Sequence, residues 1–147
     1  MTRENQVDSL FSLTGKVAVV TGGSRGIGAM IARGFLERGV KTYITSRKPK
    51  ELQATADEFS KLGECIAIQS DLSTMDGVKT FAEAIKAREP KIHILVNNAG
   101  ATWGADIDEY PESGWDKVMD LNVKSIFFLK AKSNQFQLRV SLATTLP

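Results

Sequence analysis

The sequence predicts an α/β protein built on an open parallel sheet with helices on both faces. Short β-branched runs alternate with longer segments of helical spacing, and the first run leads into a glycine-rich stretch, TGGSRGIG. Hydrophobic residues at 42% and charged residues at 24% are ordinary values for a globular chain of 147 residues. That length suits one domain or part of a larger one.

Each element has its own local reason. KVAVVT (16–21) is too short for a helix and apolar enough for a strand buried on both faces. In IGAMIARGFLERG, Ile27, Met30, Ile31, Gly34, Phe35 and Leu36 fall near helical spacing, and Gly39 supplies the stop. KTYITS reads as a second strand. PKELQATADEFSKLG opens on Pro49, keeps Leu52, Ala56 and Phe59 on one side and closes on Gly63. CIAIQS is a third strand, MDGVKTFAEAIKARE a third helix, and KIHILVNNAG a fourth strand running into a turn. ESGWDKVMDLNVKSIFFLKAK supplies a fourth helix. Such alternation implies right-handed crossovers and a parallel sheet covered on both sides. The expectation is half of a Rossmann-type, doubly wound nucleotide-binding fold with strand order 3-2-1-4.

Residues 1–132 are assigned to that unit, and residues 133–147 to an atypical tail in which LRVSLAT passes for a short strand. There is no internal repeat and no low-complexity segment. A net charge of +2 announces neither a nucleic-acid nor a membrane partner. Lone Cys65 permits no internal disulfide, and no apolar run reaches the length of a signal peptide or membrane span. A cytoplasmic protein without a metal is the expectation.

A parallel sheet delivers ligands to the carboxyl ends of its strands, where the glycines lie. There, unpaired N–H groups and the helix dipole attract an anion. Gly22 permits the sharp turn, Gly26 and Gly28 remove Cβ atoms where a pyrophosphate or the sheet comes close, and Gly23 adds backbone freedom. The spacing is T-G-x-x-x-G-x-G, and with it the sequence resembles the short-chain dehydrogenases/reductases. Asp71-Leu72 after the third strand, NNAG at 97–100 and LNV at 121–123 continue the resemblance in order, over roughly residues 12–131. FSLTGKVAVVTGGSRGIG and LVNNAGATWGA look most like the 3-oxoacyl-thioester reductase branch, rhamnolipid-type reductases included.

The resemblance implies a cofactor site at Gly22, Ser24, Arg25, Gly26, Ile27, Gly28, Arg47, Asp71, Leu72, Asn98, Ala99 and Gly100, and a supporting catalytic role for Asn122. Plainer readings stand beside it. Asp71 also suits a cap for the following helix, Asn97 and Asn98 suit a turn, and Asn122 suits a hydrogen-bonded helix residue. His93 reads as a packed strand histidine, and Trp103 and Trp115 as core or lid packing.

An NAD-preferring site places an acid about 20 residues beyond the glycines. Here Ser46, Arg47 and Lys48 occupy that place, and Arg25 approaches from the glycine loop. Arg binds a 2′-phosphate in bidentate fashion where a carboxylate repels it, so NADP(H) is the expected cofactor.

The family's general acid is a tyrosine with a lysine four residues later, preceded by a strand serine. Only Tyr43 and Tyr110 are present, and neither has that lysine. Ser141 is not followed by the Tyr and Lys and is not assigned as the catalytic serine. The chain is thus expected to be the cofactor half of a carbonyl reductase, inactive alone, whose small-molecule substrate needs the other half. The alternative is a non-catalytic NADP-binding or interaction module. Members of the family are homo-oligomers. Alone, the chain is expected to leave the fourth strand's edge open and to be poorly soluble.

Overall fold

The computed structural model describes residues 10–133 and 141–143. Strands β1 (Val17–Thr21), β2 (Lys41–Thr45), β3 (Cys65–Ala67), β4 (Ile94–Val96) and β5 (Ser141–Ala143) form one sheet in the order β3-β2-β1-β4-β5. Every pairing is parallel. Helices α1 (Gly26–Leu36), α2 (Pro49–Phe59) and α3 (Met75–Lys86) occupy the crossovers. After β4 come a 3₁₀ turn (Ile107–Glu109) and α4 (Glu112–Met119), then a π-helical segment (Asp120–Lys124) leading into α5 (Ser125–Ser133).

The central strands β1 and β2 are almost wholly buried because helices cover both faces of the sheet, while β3 is half-buried. On one face Val17, Val19, Tyr43 and Leu95 pack with Val78, Phe81 and Ile85 of α3, Leu121, and Leu129 of α5. On the other, Val20, Ile44 and Val96 meet Ala32 and Leu36 of α1 and Leu52, Ala56 and Phe59 of α2. The predicted apolar side of α2 is therefore the one that packs. In α1 the buried residues are Gly28, Ala32 and Leu36, whereas Ile27 and Met30 are 64% and 72% exposed. Of the residues noted at helical spacing, Leu36 is buried and Ile31 and Phe35 pack against the core, while Ile27 and Met30 face outward and Gly28 and Ala32 are buried instead.

The order 3-2-1-4 is present, with a fifth strand added. Residues 141–143 pair with β4 in the register Ile94–Ser141, Leu95–Leu142, Val96–Ala143. The edge expected to be open is thus covered over these three residues by part of the tail.

A charged knot sits near the amino-terminal end of β2. Tyr43 Oη donates to Glu89 Oε1 at 2.6 Å, and Lys41 Nζ reaches Glu89 at 2.7 Å and Glu64 at 2.8 Å. Burial would raise the Glu89 pKa, but hydrogen bonds from Lys41 and Tyr43 hold it below the usual carboxylate value. Burial first, and then Glu89, push Tyr43 up to about 12. His93 Nδ1 accepts the Val17 N–H at 3.0 Å, so this histidine serves the sheet as read from the sequence.

Candidate nucleotide-binding site

At the carboxyl ends of β1 to β4 the loops enclose a cavity of about 470 Å³. Its lining includes all twelve residues expected at the cofactor: Gly22, Ser24 to Gly28, Arg47, Asp71-Leu72 and Asn98 to Gly100. It also includes Thr45, Ser46, Lys48, Glu51, Ser70 and Leu121.

The first wall is the glycine loop. Gly22 has φ +65°, a left-handed conformation that disfavours any side chain. A Cβ on Gly28 would lie 2.3 Å from Gly22 O and 2.4 Å from Asn98 Nδ2, so the helix start and the loop touch through their backbones. Gly23 has a stricter role than the backbone freedom expected of it. A Cβ there would lie 2.7 Å from Ile44 Cγ2, so its absence lets the loop close onto β2. Helix α1 begins without a side-chain cap and without an acid in its first turn. Its leading N–H groups and dipole therefore keep their pull on an anion.

A threonine joins this wall to the next. Thr21 Oγ1 donates to Val96 O at 3.3 Å and accepts the N–H groups of Asn98 at 2.9 Å and Ala99 at 3.0 Å. Asn98 Nδ2 returns to Thr21 O at 3.0 Å and Gly22 O at 3.3 Å. The turn reading of Asn98 and the cavity reading hold together: its amide closes the turn whose backbone lines the site. Sequence reasoning passed over Thr21, although it is the opening letter of the T-G-x-x-x-G-x-G spacing.

Beyond β3, Asp71 Oδ1 accepts from Ser73 N and Oγ at 3.0 and 2.7 Å. It does not cap α3; that cap is Thr74, whose Oγ1 accepts the Gly77 N–H at 3.0 Å. Leu72 reaches the cavity rim while its side chain belongs to the core.

Asn122 stands one residue beyond the cavity's Leu121, inside the π-helical segment. Its Oδ1 accepts the Ala101 N–H at 2.8 Å and its Nδ2 donates to Ala101 O at 2.9 Å. A mid-helix asparagine is unfavourable by propensity, and here the cost is offset by a two-point bond to the loop after β4.

Four acceptors and donors converge at the cavity's β2 side. Ser24 Oγ donates to Glu51 Oε1 at 3.1 Å, and Arg25 Nε and Lys48 Nζ each lie 3.8 Å from the same carboxylate. Arg47 makes no ion pair among the described residues and lines the cavity. Among the described residues no cluster of metal-ligating side chains occurs, and no helix is long and apolar enough to cross a membrane.

The family model for short chain dehydrogenases matches residues 16–136. This chain belongs to that family. It is 50% identical over 117 residues to a rhamnolipid-biosynthesis 3-oxoacyl-(acyl-carrier-protein) reductase of Pseudomonas aeruginosa, a match covering 80% of this chain and 46% of the relative. Among solved structures, the Pseudomonas aeruginosa RhlG/NADP active-site complex superposes with a TM-score of 0.82 at 47% identity, covering 86% of this chain and 49% of that one. A metagenomic short-chain oxidoreductase in complex with NADP gives 0.81 at 34% identity, covering 92% and 66%. The chain spans about half the length of the curated relatives it matches.

Neither tyrosine of this short-chain dehydrogenase chain stands as a family acid. Tyr43 is 1% exposed and bound to Glu89, and Tyr110 follows the 3₁₀ turn with Gly114 four residues on. The tryptophans are outside the core. Trp103 packs on Gly114, whose Cβ would lie 2.7 Å from the indole, and takes Lys117 Nζ at 4.9 Å from its ring centre, while Trp115 is 59% exposed.

Proposed function

We propose that these residues form the nucleotide-holding part of an NADP(H)-dependent carbonyl reductase acting on a 3-oxoacyl thioester. One observation carries the cofactor choice. The segment after β2 that lines the cavity is Ser46-Arg47-Lys48, with no carboxylate at the position where a ribose 2′-hydroxyl is usually held. The two structural neighbours described above hold NADP, which agrees with this reading. The thioester substrate rests on the resemblance to the rhamnolipid reductase.

The cavity fits such a group. The Gly22–Gly28 backbone contact leaves a side-chain-free cradle, and the uncapped α1 start offers N–H groups to a pyrophosphate. In this reading Asp71 and Leu72, which line the cavity after β3, would contact the adenine, and Arg47 after β2 would take the 2′-phosphate. NADPH, when bound, supplies the electrons and hydrogen that reduce a carbonyl. Thr21 holds the backbone of Asn98 and Ala99, and Asn122 fixes Ala101 in the loop beyond them.

The test is a titration of this chain with NADPH and NADH, with and without Arg47→Asp. Losing a charge-assisted phosphate contact costs about 1.5–3 kcal/mol, so NADPH affinity should fall roughly ten- to a hundredfold while NADH affinity holds. NADPH binding that is indifferent to Arg47→Asp overturns the reading.

A further inference from the structure

Among the described residues Glu51 is the one acid on the β2 side of the cavity, and nothing in the sequence pattern foretold its place. It lies in the first turn of α2, where a carboxylate complements the helix dipole. That ordinary role needs no partner from elsewhere. Yet Glu51 Oε1 accepts from Ser24 Oγ at 3.1 Å and faces Arg25 Nε at 3.8 Å, both from the glycine loop, and its Oε2 faces Lys48 Nζ at 3.8 Å. The loop is held in place to meet it: Thr55 Oγ1, one turn further along α2, donates to Ser24 O at 2.8 Å. One carboxylate thus takes a hydroxyl and two cations that border the same cavity as Arg47.

These are the donors that a phosphate on the nucleotide's ribose would seek. We propose that Glu51 acts as an internal counter-anion in the 2′-phosphate subsite, so that it tempers the affinity for NADP(H) and narrows its preference over NAD(H). The inference rests on the NADP(H) reading above. Its chemistry is competition. A dianionic phosphate gains short, bidentate bonds from guanidinium groups, and the Arg25–Glu51 contact at 3.8 Å is too long to be a hydrogen bond. The phosphate therefore competes with Glu51 for Arg25 and Ser24, while the carboxylate stays tethered close by and repels it. Arg47, without an ion pair among the described residues, is the cation ready to receive the phosphate, whereas the phosphate shares Arg25 and Lys48 with the carboxylate 3.8 Å from each. A nucleotide lacking the 2′-phosphate meets no such competition.

The experiment is a binding titration of the full chain, wild type and Glu51→Gln, at low and high salt. The probes are NADPH and adenosine 2′,5′-bisphosphate, with NADH and 5′-AMP as controls. Glutamine preserves an oxygen for Ser24 Oγ and removes the charge. The expected result is a roughly three- to tenfold tightening of both 2′-phosphorylated probes, no change for the controls, and a smaller gain at high salt, as partly exposed charges dictate. Unchanged or weaker binding of the 2′-phosphorylated probes by Glu51→Gln, with the wild type still preferring NADPH, overturns the counter-anion role and leaves the NADP(H) reading standing. Equal tightening of NADH also overturns it, because the effect would then not belong to the 2′-phosphate. A wild type that prefers neither cofactor sinks both. Thermal melts accompany the titration; if Glu51→Gln melts too low to titrate, Glu51→Asp, whose shorter side chain draws the charge back from Arg25, decides by the same criteria with a smaller gain.

Discussion

Two glycines in helix α1 provide a paired perturbation with opposite expected signs. At Gly28 an added Cβ would lie 2.3 Å from Gly22 O, 2.4 Å from Asn98 Nδ2 and 2.9 Å from Gly22 C. Ordinary carbon contacts begin near about 3.5 Å, so relief demands about 1 Å of movement. The obstacle is backbone, and it is pinned: Asn98 Nδ2 bonds Thr21 O and Gly22 O, and Thr21 Oγ1 takes two further N–H groups. Overpacking of this kind costs about 1–3 kcal/mol, and a lost hydrogen bond adds about 1 kcal/mol. Alanine's helix propensity returns about 1 kcal/mol. Gly28→Ala should therefore destabilise the chain by about 2 kcal/mol and weaken NADPH binding, because the displaced atoms are the cradle itself. At Gly34, in the same helix, an added Cβ meets nothing within 4 Å. Gly34→Ala should stabilise by about 0.5–1 kcal/mol through the unfolded state. Urea midpoints at constant m-value read both effects, and NADPH titration reads the second consequence. A Gly28→Ala chain as stable as Gly34→Ala, with unchanged NADPH affinity, would falsify the close-approach geometry.

Stability should also fall on mild acidification through His93, whose pKa is lowered by burial and then by Lys91 and Lys16, with Glu89 opposing. Above about 6.5 the group is neutral in both states; as pH falls below that value the unfolded chain takes the proton first, so stability is lost until the lowered native value is passed. Urea midpoints for His93→Gln should lack this limb, and an identical pH profile would assign it elsewhere. Glu89, held below its usual value of 4.5, acts in a separate window, its contribution being lost as pH falls further. Residues 1–147, given NADPH and a 3-oxoacyl thioester, should show no carbonyl reduction, because neither Tyr43 nor Tyr110 is followed four residues on by a lysine and general acid–base help is worth roughly 10²–10⁴-fold. Turnover by purified chain that disappears in Asn122→Ala would contradict this.

Local chemistry was legible where one element decides it. Leu52, Ala56 and Phe59 repeat at helical spacing and are the buried face of α2, because a large apolar stripe facing the sheet is an amphipathic pattern of the simplest kind. The same spacing held for Leu36, Ile31 and Phe35 but not for Ile27 and Met30, which are exposed while Gly28 and Ala32 lie buried against the sheet. Asp71 looked like a cap, but capping depends on which residue adopts the extended backbone before the helix, and that is Thr74. Glu51 was invisible because its partners Ser24 and Arg25 come from a loop that only the parallel crossover brings near. Strand β5 lies within LRVSLAT, the stretch that passes for a short strand in the sequence, but its place beside β4 is given only by the ladder. The twelve residues expected at the cofactor all reach one cavity because they are tied to strand ends, and a parallel sheet gathers its strand ends on one edge.

The family signature in this chain works first as a set of struts. Thr21, at the end of β1, holds the backbone of Asn98 and Ala99 after β4; Asn98 holds the backbone of Thr21 and Gly22; Asn122, from the π-helical segment, holds Ala101 at both its N–H and its carbonyl. Each is a side chain bonded to backbone far away in sequence, so the three links join the first loop to the fourth and the fourth to the helix after it. A π-helical turn shifts the ladder by one residue, and it does so here where Asn122 must face Ala101. Hydrogen bonds of this kind contribute about 1 kcal/mol each and, more importantly, leave few alternatives for the loops they join. The loops are thereby joined by bonds from two amides and a hydroxyl to backbone. Thr21, Asn98 and Asn122 thus order the loops around the cavity through side-chain-to-backbone bonds, which is the arrangement the proposed nucleotide site requires.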